Sequence, residues 1–277
     1  MITLCVPSCN QDLFDSCLWH AAHYAAAPVD VVGVGNGVQL RPDPCVTFKS
    51  HRIESLPENV GVPAAMQRMW LTARELNGAG DDHVVLYLHD DLRLYEKGWD
   101  SRLQALFDAH PAAVLAGFSG TKALGANFIY KRPYSAAQLS RQGPLLSNLE
   151  LHAEFHGLRV TEDQRVAFVD GFSLAFRASF LERIVGWTWW PFEFVHHAYD
   201  YAAACMARRH GGEVWLCPVR CDHGVPDKIT HTRHAGTSTQ PHYKALADKH
   251  GGDAEVHAKS HRFVYDTFGD VLPIEVP

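Results

Sequence analysis

Five apolar residues, Val84-Val85-Leu86-Tyr87-Leu88, run without interruption into His89-Asp90-Asp91. An apolar block of strand length with no polar alternation describes a strand buried on both faces, as in a parallel sheet. Carboxylates resist burial unless they are paired or hold a cation. The block therefore predicts a central strand whose carboxyl end reaches the sheet edge at Asp90 and Asp91. In open α/β sheets, ligands bind beyond that edge.

The flanking pattern supports the same class of fold. Ile2 to Val6 reads as a first strand, broken at Pro7-Ser8-Cys9-Asn10. Leu13, Phe14, Cys17, Leu18 and Ala21 then recur at helical spacing, and Val29 to Val34 form a second strand closed by Gly35-Asn36-Gly37. A strand–helix–strand unit of this kind favours a parallel pair with a right-handed crossover. Residues 38–58, with Pro42, Pro44 and Pro57, read as irregular. A helix follows, with Pro63 in its first turn and Met66, Met69, Trp70 and Ala73 as its core stripe. Another begins near Gly98 and carries Trp99, Leu103, Leu106 and Phe107; Ala113 to Phe118 make a further strand.

Residues 119–165 show no periodicity and are expected to form an insertion or mobile loop over the site. Val166 to Val169 predict a strand ending at Asp170-Gly171, with Leu174 to Phe176 as its continuation. After a short helix near Phe180 and an aromatic cluster at 186–192, Tyr199-Asp200 leads into a helix that stops at Gly211-Gly212. Val214 to Leu216 form a late strand ending near Cys221-Asp222-His223. A last helix is expected over Pro241 to His250, and Val264 to Pro277 as a tail packed on the core or a partner. The whole predicts an α/β fold: one domain with a mixed, mostly parallel sheet flanked by helices, covering 1–225, and an extension, 226–277, packed on it.

Composition narrows the functional classes. The chain has 277 residues, 47% hydrophobic and 20% charged, with a net charge of −6. That balance argues against a general coat for nucleic acid. No apolar stretch approaches the roughly 20 residues of a membrane helix. No basic segment precedes the apolar N-terminus, so no signal peptide is read and a cytoplasmic location is expected. Seven cysteines, without a short CxxC knuckle, read as free thiols.

Two carboxylates at a strand end suit Mg²⁺ or Mn²⁺, and such ions suit phosphates; the same pair equally suits a helix cap or a turn. The order of features settles more. Asn59-Val60-Gly61-Val62-Pro63-Ala64-Ala65 resembles an N-x-G-x-x-x-A helix start, and Leu86 to Asp91 stands where an Asp-x-Asp metal motif lies. The segment from Gly186 to Gly211, with Tyr199-Asp200 and Cys205-Met206-Ala207-Arg208, resembles one carrying a Glu-Asp catalytic pair and a basic helix. Together these are similar to the GT-A (Rossmann-like) glycosyltransferases, specifically the family 2-like inverting enzymes. The chain departs from their pattern at His89, where the first Asp usually lies, at Tyr199 in place of Glu, and at Ala202.

The resemblance implies a transferase that moves a sugar from a nucleotide-sugar donor to an acceptor hydroxyl. Asp91 and His223 would hold Mn²⁺ or Mg²⁺; Pro7, Ser8, Asn10, Asn36, His89 and Asp90 would meet the nucleotide and donor. Asp200 would be the general base, with Asp170 holding donor or acceptor sugar. Trp189 and Trp190 would stack on an acceptor that is a saccharide, lipid-linked sugar, protein or modified nucleic acid. Core packing explains the tryptophans equally well. Arg220, Lys228, Arg233 and Lys244 would add local positive charge. A nucleotidyltransferase lacks support in Pro7-Ser8-Cys9-Asn10-Gln11, which offers no glycine- and lysine-rich phosphate loop. A non-catalytic nucleotide- or sugar-binding module on the same scaffold is the other alternative.

Overall fold

The computed structural model describes residues 1–128, 137–142, 144–151, 154–155, 157–223 and 240–277. The chain opens with β1 (Ile2–Ser8), α1 (Gln11–Tyr24), β2 (Asp30–Asn36), β3 (Ser50–Leu56), α2 (Val62–Asn77) and β4 (Val84–Leu88). There follow β5 (Leu92–Leu94), α3 (Trp99–Ala109), β6 (Ala113–Gly117), β7 (Gln164–Val166) and β8 (Ser173–Arg177). The chain ends through α4 (Ala178–Arg183), α5 (Tyr199–Arg209), β9 (Glu213–Leu216), β10 (Cys221–His223), α6 (Gln240–Asp248) and α7 (Asp253–Phe268).

Eight strands form one sheet in the order β7-β9-β6-β8-β4-β1-β2-β3. Only β7 and β8 run against the rest. All five residues of β4 are buried, and alternation explains why the run is unbroken. Val85 and Tyr87 enter one apolar layer with α2 and α5. Val84, Leu86 and Leu88 enter the other, with α1 and α3. The fold is the expected α/β one, a large and mostly parallel sheet flanked by helices.

Several local expectations change. The irregular stretch 38–58 contains β3, the sheet's edge strand, whose residues are exposed or half-buried. An edge strand facing solvent needs no apolar run, so Ser-His-Arg-Ile-Glu-Ser-Leu gave no strand signal. Val166 to Phe176 falls in three strands, not one. Val166 ends β7, Phe168–Val169 pair instead with Ser119–Thr121, and a turn at Asp170 reverses the chain into β8. β8 then lies antiparallel between β4 and β6. The stretch 119–165 carries short strands, among them Ser119–Thr121, Leu146–Ser147 and Leu149–Leu151. Val264 to Phe268 belong to α7 rather than to a tail, and Val256, Val264 and Phe268 share an apolar cluster with Trp190 and Phe194.

At the sheet end away from Asp91, Arg177 is buried. Its guanidinium donates to the carbonyls of Ala113, Asp81 and Phe107 at 3.0, 2.7 and 2.9 Å and lies 5.3 Å from the Phe107 ring. A buried charge is tolerable when its donors are so satisfied.

Candidate metal centre and active site

β4 ends at Leu88, and the chain turns at once, Leu92 N donating to His89 O at 3.2 Å. β5 then pairs antiparallel with β10, with Leu92 opposite His223 and Arg93 opposite Asp222. That register delivers His223 to Asp91 from 132 positions away in the chain. The His223 Nε2 to Asp91 Oδ1 distance is 3.3 Å, and His223 Nε2 lies 3.4 Å from His89 Nδ1. One ligating atom each of His89, Asp91 and His223 lies within 4.8 Å of the others.

The electrostatics follow from this packing. Burial alone would raise the Asp91 carboxyl; the His223 charge and hydrogen bond, aided by His89, outweigh it and hold Asp91 well below the usual carboxylate range. Burial would lower His223, yet Asp91 keeps it above the ordinary imidazole value. His89 is driven down to about 4 by burial and then by His223. Asp90 is raised by burial and by the neighbouring Asp91 charge. Its Oδ2 accepts the Ser8 hydroxyl at 2.5 Å, and it does not share the cluster with Asp91.

His89 is placed by both of its neighbours. Its backbone N donates to Phe172 O at 3.0 Å. Its Nε2 meets the Tyr199 hydroxyl at 2.8 Å, and that hydroxyl donates to Gly171 O at 3.1 Å. Because the Tyr199 hydroxyl gives its proton to Gly171 O, it accepts from His89 Nε2, which leaves Nδ1 toward His223. Metal-binding histidines use their second nitrogen in this way. Gly171 is required here, because a Cβ would stand 2.6 Å from the Tyr199 oxygen. The sequence reading put His89 among donor-binding residues; the structure adds it to the metal-capable set. The i, i+2 spacing of His89 and Asp91 was the available signal.

Tyr199 and Asp200 open α5 from Ala198, a non-glycine residue at φ 57°. Asp200 Oδ2 accepts from Gly171 N at 3.2 Å and Oδ1 from Tyr201 N at 2.9 Å. Asp91 and Asp200 are thus linked through His223, His89, Tyr199 and Gly171. Asp170 lies beside them, its charge acting on His89, His223 and Tyr199.

Other expected site residues are held by local structure. Pro7 is buried within β1, paired with Val34. Asn10 caps α1, its Oδ1 accepting from Leu13 N at 3.1 Å. Asn36 is buried, donating to Gly61 O and accepting from Val60 N. It fixes the entry to α2, where Gly61 takes φ +83°. Trp190 is 2% exposed and packs on Phe194 and Phe263. Trp189 is half-buried, its indole donating to Gly186 O and its ring edge-on to Phe268. Arg220 pairs with Glu150 and Lys244 with Asp248; Lys228 and Arg233 lie outside the described residues. All seven cysteines are free thiols.

One carboxylate and two imidazoles fit Mn²⁺ better than Mg²⁺, which prefers oxygen donors. Comparison with known proteins agrees at the level of fold. A crystal structure of GalNAc-T7 with UDP, GalNAc and Mn²⁺ superposes at a TM-score of 0.51 and 9% identity, over 98% of this chain and 57% of that one. This chain therefore spans little more than half of that protein's length. A197 from STIV gives a TM-score of 0.38 at 12% identity, over 79% of this chain and 83% of the other. No protein-family model and no curated protein sequence matches. The architecture is a GT-A fold. No described helix is long and apolar enough to cross a membrane.

Proposed function

We propose that this protein is a metal-dependent glycosyltransferase that takes a nucleotide-sugar donor and inverts the anomeric centre. The observation that carries the reading is the convergence of His89, Asp91 and His223 at the carboxyl edge of β4 in a GT-A fold. A divalent cation bound there would supply positive charge opposite the departing diphosphate.

The chain's own groups divide the remaining work. Tyr199 and Gly171 orient His89. Asp200 accepts the proton of the acceptor hydroxyl as its oxygen bonds to the sugar's anomeric carbon and the bond to phosphate breaks. Two backbone N–H groups fix the Asp200 carboxylate. Asp170 holds a sugar hydroxyl. Ser8 and Asp90 line the donor side, Ser8 setting the Asp90 carboxylate.

The test is nucleotide release from a panel of nucleotide sugars by chelator-treated protein, with and without Mn²⁺. Turnover should require Mn²⁺ and vanish in Asp91→Ala and in Asp200→Asn. The product's anomeric configuration reads inversion directly. Full turnover in both variants defeats the assignment.

A further inference from the structure

A second group of ligating side chains shares no residue with the first, although the His89 charge reaches His196. His196 and His197 precede α5, and both turn toward Asp253, the first residue of α7. His197 Nε2 lies 2.8 Å and His196 Nε2 3.7 Å from the same oxygen, Asp253 Oδ1. The two imidazole centroids are 4.1 Å apart. In a tetrahedral zinc site with bonds of about 2.0–2.1 Å, neighbouring ligand atoms sit about 3.3–3.5 Å apart. The observed pair of distances brackets that spacing.

The backbone is bent to produce this arrangement. Consecutive side chains on an extended segment point to opposite faces. Here Val195 and Ala198, neither of them glycine, take φ values of 59° and 57° on either side of the two histidines. Such conformations are strained and persist only where the surrounding structure holds them. Between them, two successive imidazoles meet one carboxylate. Among the described residues, His196 Nδ1 is buried without a hydrogen-bond partner. Next to His197 stands His257, stacked in turn on His261.

We propose that His196, His197 and Asp253 form a second metal site that takes Zn²⁺, completed by water. Two imidazoles and a carboxylate are a zinc donor set. The ion would staple α7 to the segment that carries Tyr199 and Asp200. This site does not depend on the glycosyltransferase reading.

The experiment removes the first centre and titrates the second. Chelated Asp91→Ala protein is dialysed against Zn²⁺, beside Asp91→Ala with Asp253→Asn and Asp91→Ala with His197→Gln. Asp253 is 57% exposed, so its change to Asn leaves the core intact even if His197→Gln unfolds the chain. The Asp91→Ala protein should bind one equivalent that both double variants lose or hold at least 100-fold more weakly. Co²⁺ should give an intense tetrahedral visible band in the first protein alone. Equal Zn²⁺ stoichiometry and affinity with and without Asp253→Asn overturns the proposal, because any zinc then sits on other histidines. Loss of transferase activity in any variant has no bearing on this readout.

Discussion

Tyr199→Phe is the most direct probe of how the centre is built. The substitution removes one oxygen and keeps the ring, which is 3% exposed and packs edge-on to Trp187. That oxygen accepts from His89 Nε2 at 2.8 Å and donates to Gly171 O at 3.1 Å. Both partners would be left buried without it, at about 1–3 kcal/mol for each group. Loss of the outer partner of a metal-bound histidine typically weakens metal binding about 10–100-fold, or about 1.4–2.7 kcal/mol. Calorimetric titration of Mn²⁺ into the chelated proteins measures the affinity, and thermal unfolding of the same samples measures the structural cost. We expect a Tm lower by several degrees and a Kd raised at least tenfold. A lower Tm with an unchanged Mn²⁺ Kd would show that Tyr199 supports the fold alone and that His89 is not oriented through it.

Gly171→Ala places a methyl group 2.6 Å from the same hydroxyl, so Mn²⁺ affinity should fall at least as far as in Tyr199→Phe; wild-type affinity would refute the required glycine. Arg177→Met leaves the carbonyls of Ala113, Asp81 and Phe107 without this donor, at about 1–3 kcal/mol for each buried carbonyl. Its Tm should fall by several degrees while Mn²⁺ affinity is retained, since the residue lies at the far end of the sheet. His261 is 5% exposed, with burial and then His257 driving it down to about 3. The unfolded chain therefore takes up this proton near pH 6.5 while the folded chain refuses it, so stability falls as pH drops from about 6.5 to about 3. His261→Leu should remove that slope and gain up to about 2 kcal/mol over wild type at pH 5 relative to pH 8; parallel urea midpoints at the two pH values would refute it.

What the sequence revealed and what it hid divide along a physical line. Buried central strands announce themselves because both faces need apolar side chains, which is why β1, β2 and β4 are legible. Helices α1, α2 and α3 show their core stripes for the same reason. Edge strand β3 satisfies no such demand and carries Ser50, His51, Arg52 and Glu54. The direction of β8 is invisible for another reason: apolar content sets burial, whereas the turn at Asp170 and Gly171 sets direction. Trp190 shows how weak a large aromatic is as a binding signal, since it packs in the core.

The metal-capable centre shows the same division more sharply. Asp91 was legible because a carboxylate ending an apolar strand needs a reason to be there. His223 was legible only through resemblance, and the reason it belongs is a register: Leu92 opposite His223 fixes where the imidazole falls. No local pattern encodes a pairing between strands so far apart in the chain. Tyr199 looked like a defect, standing where an acidic residue was expected. In the structure it is the hydrogen-bond partner that a histidine at position 89 requires. The two departures from the pattern the chain resembles are in contact: His89 brings an N–H to be satisfied, and the Tyr199 hydroxyl satisfies it. It follows that neither should be reversible alone. His89→Asp with Tyr199 retained would leave the tyrosine hydroxyl facing a shorter side chain across a gap. Tyr199→Glu with His89 retained would bury a new carboxylate against Asp170 and Asp200. Each single reversion should weaken Mn²⁺ binding, and the double reversion should recover part of the loss. Additive losses in that cycle would show that the two positions act independently.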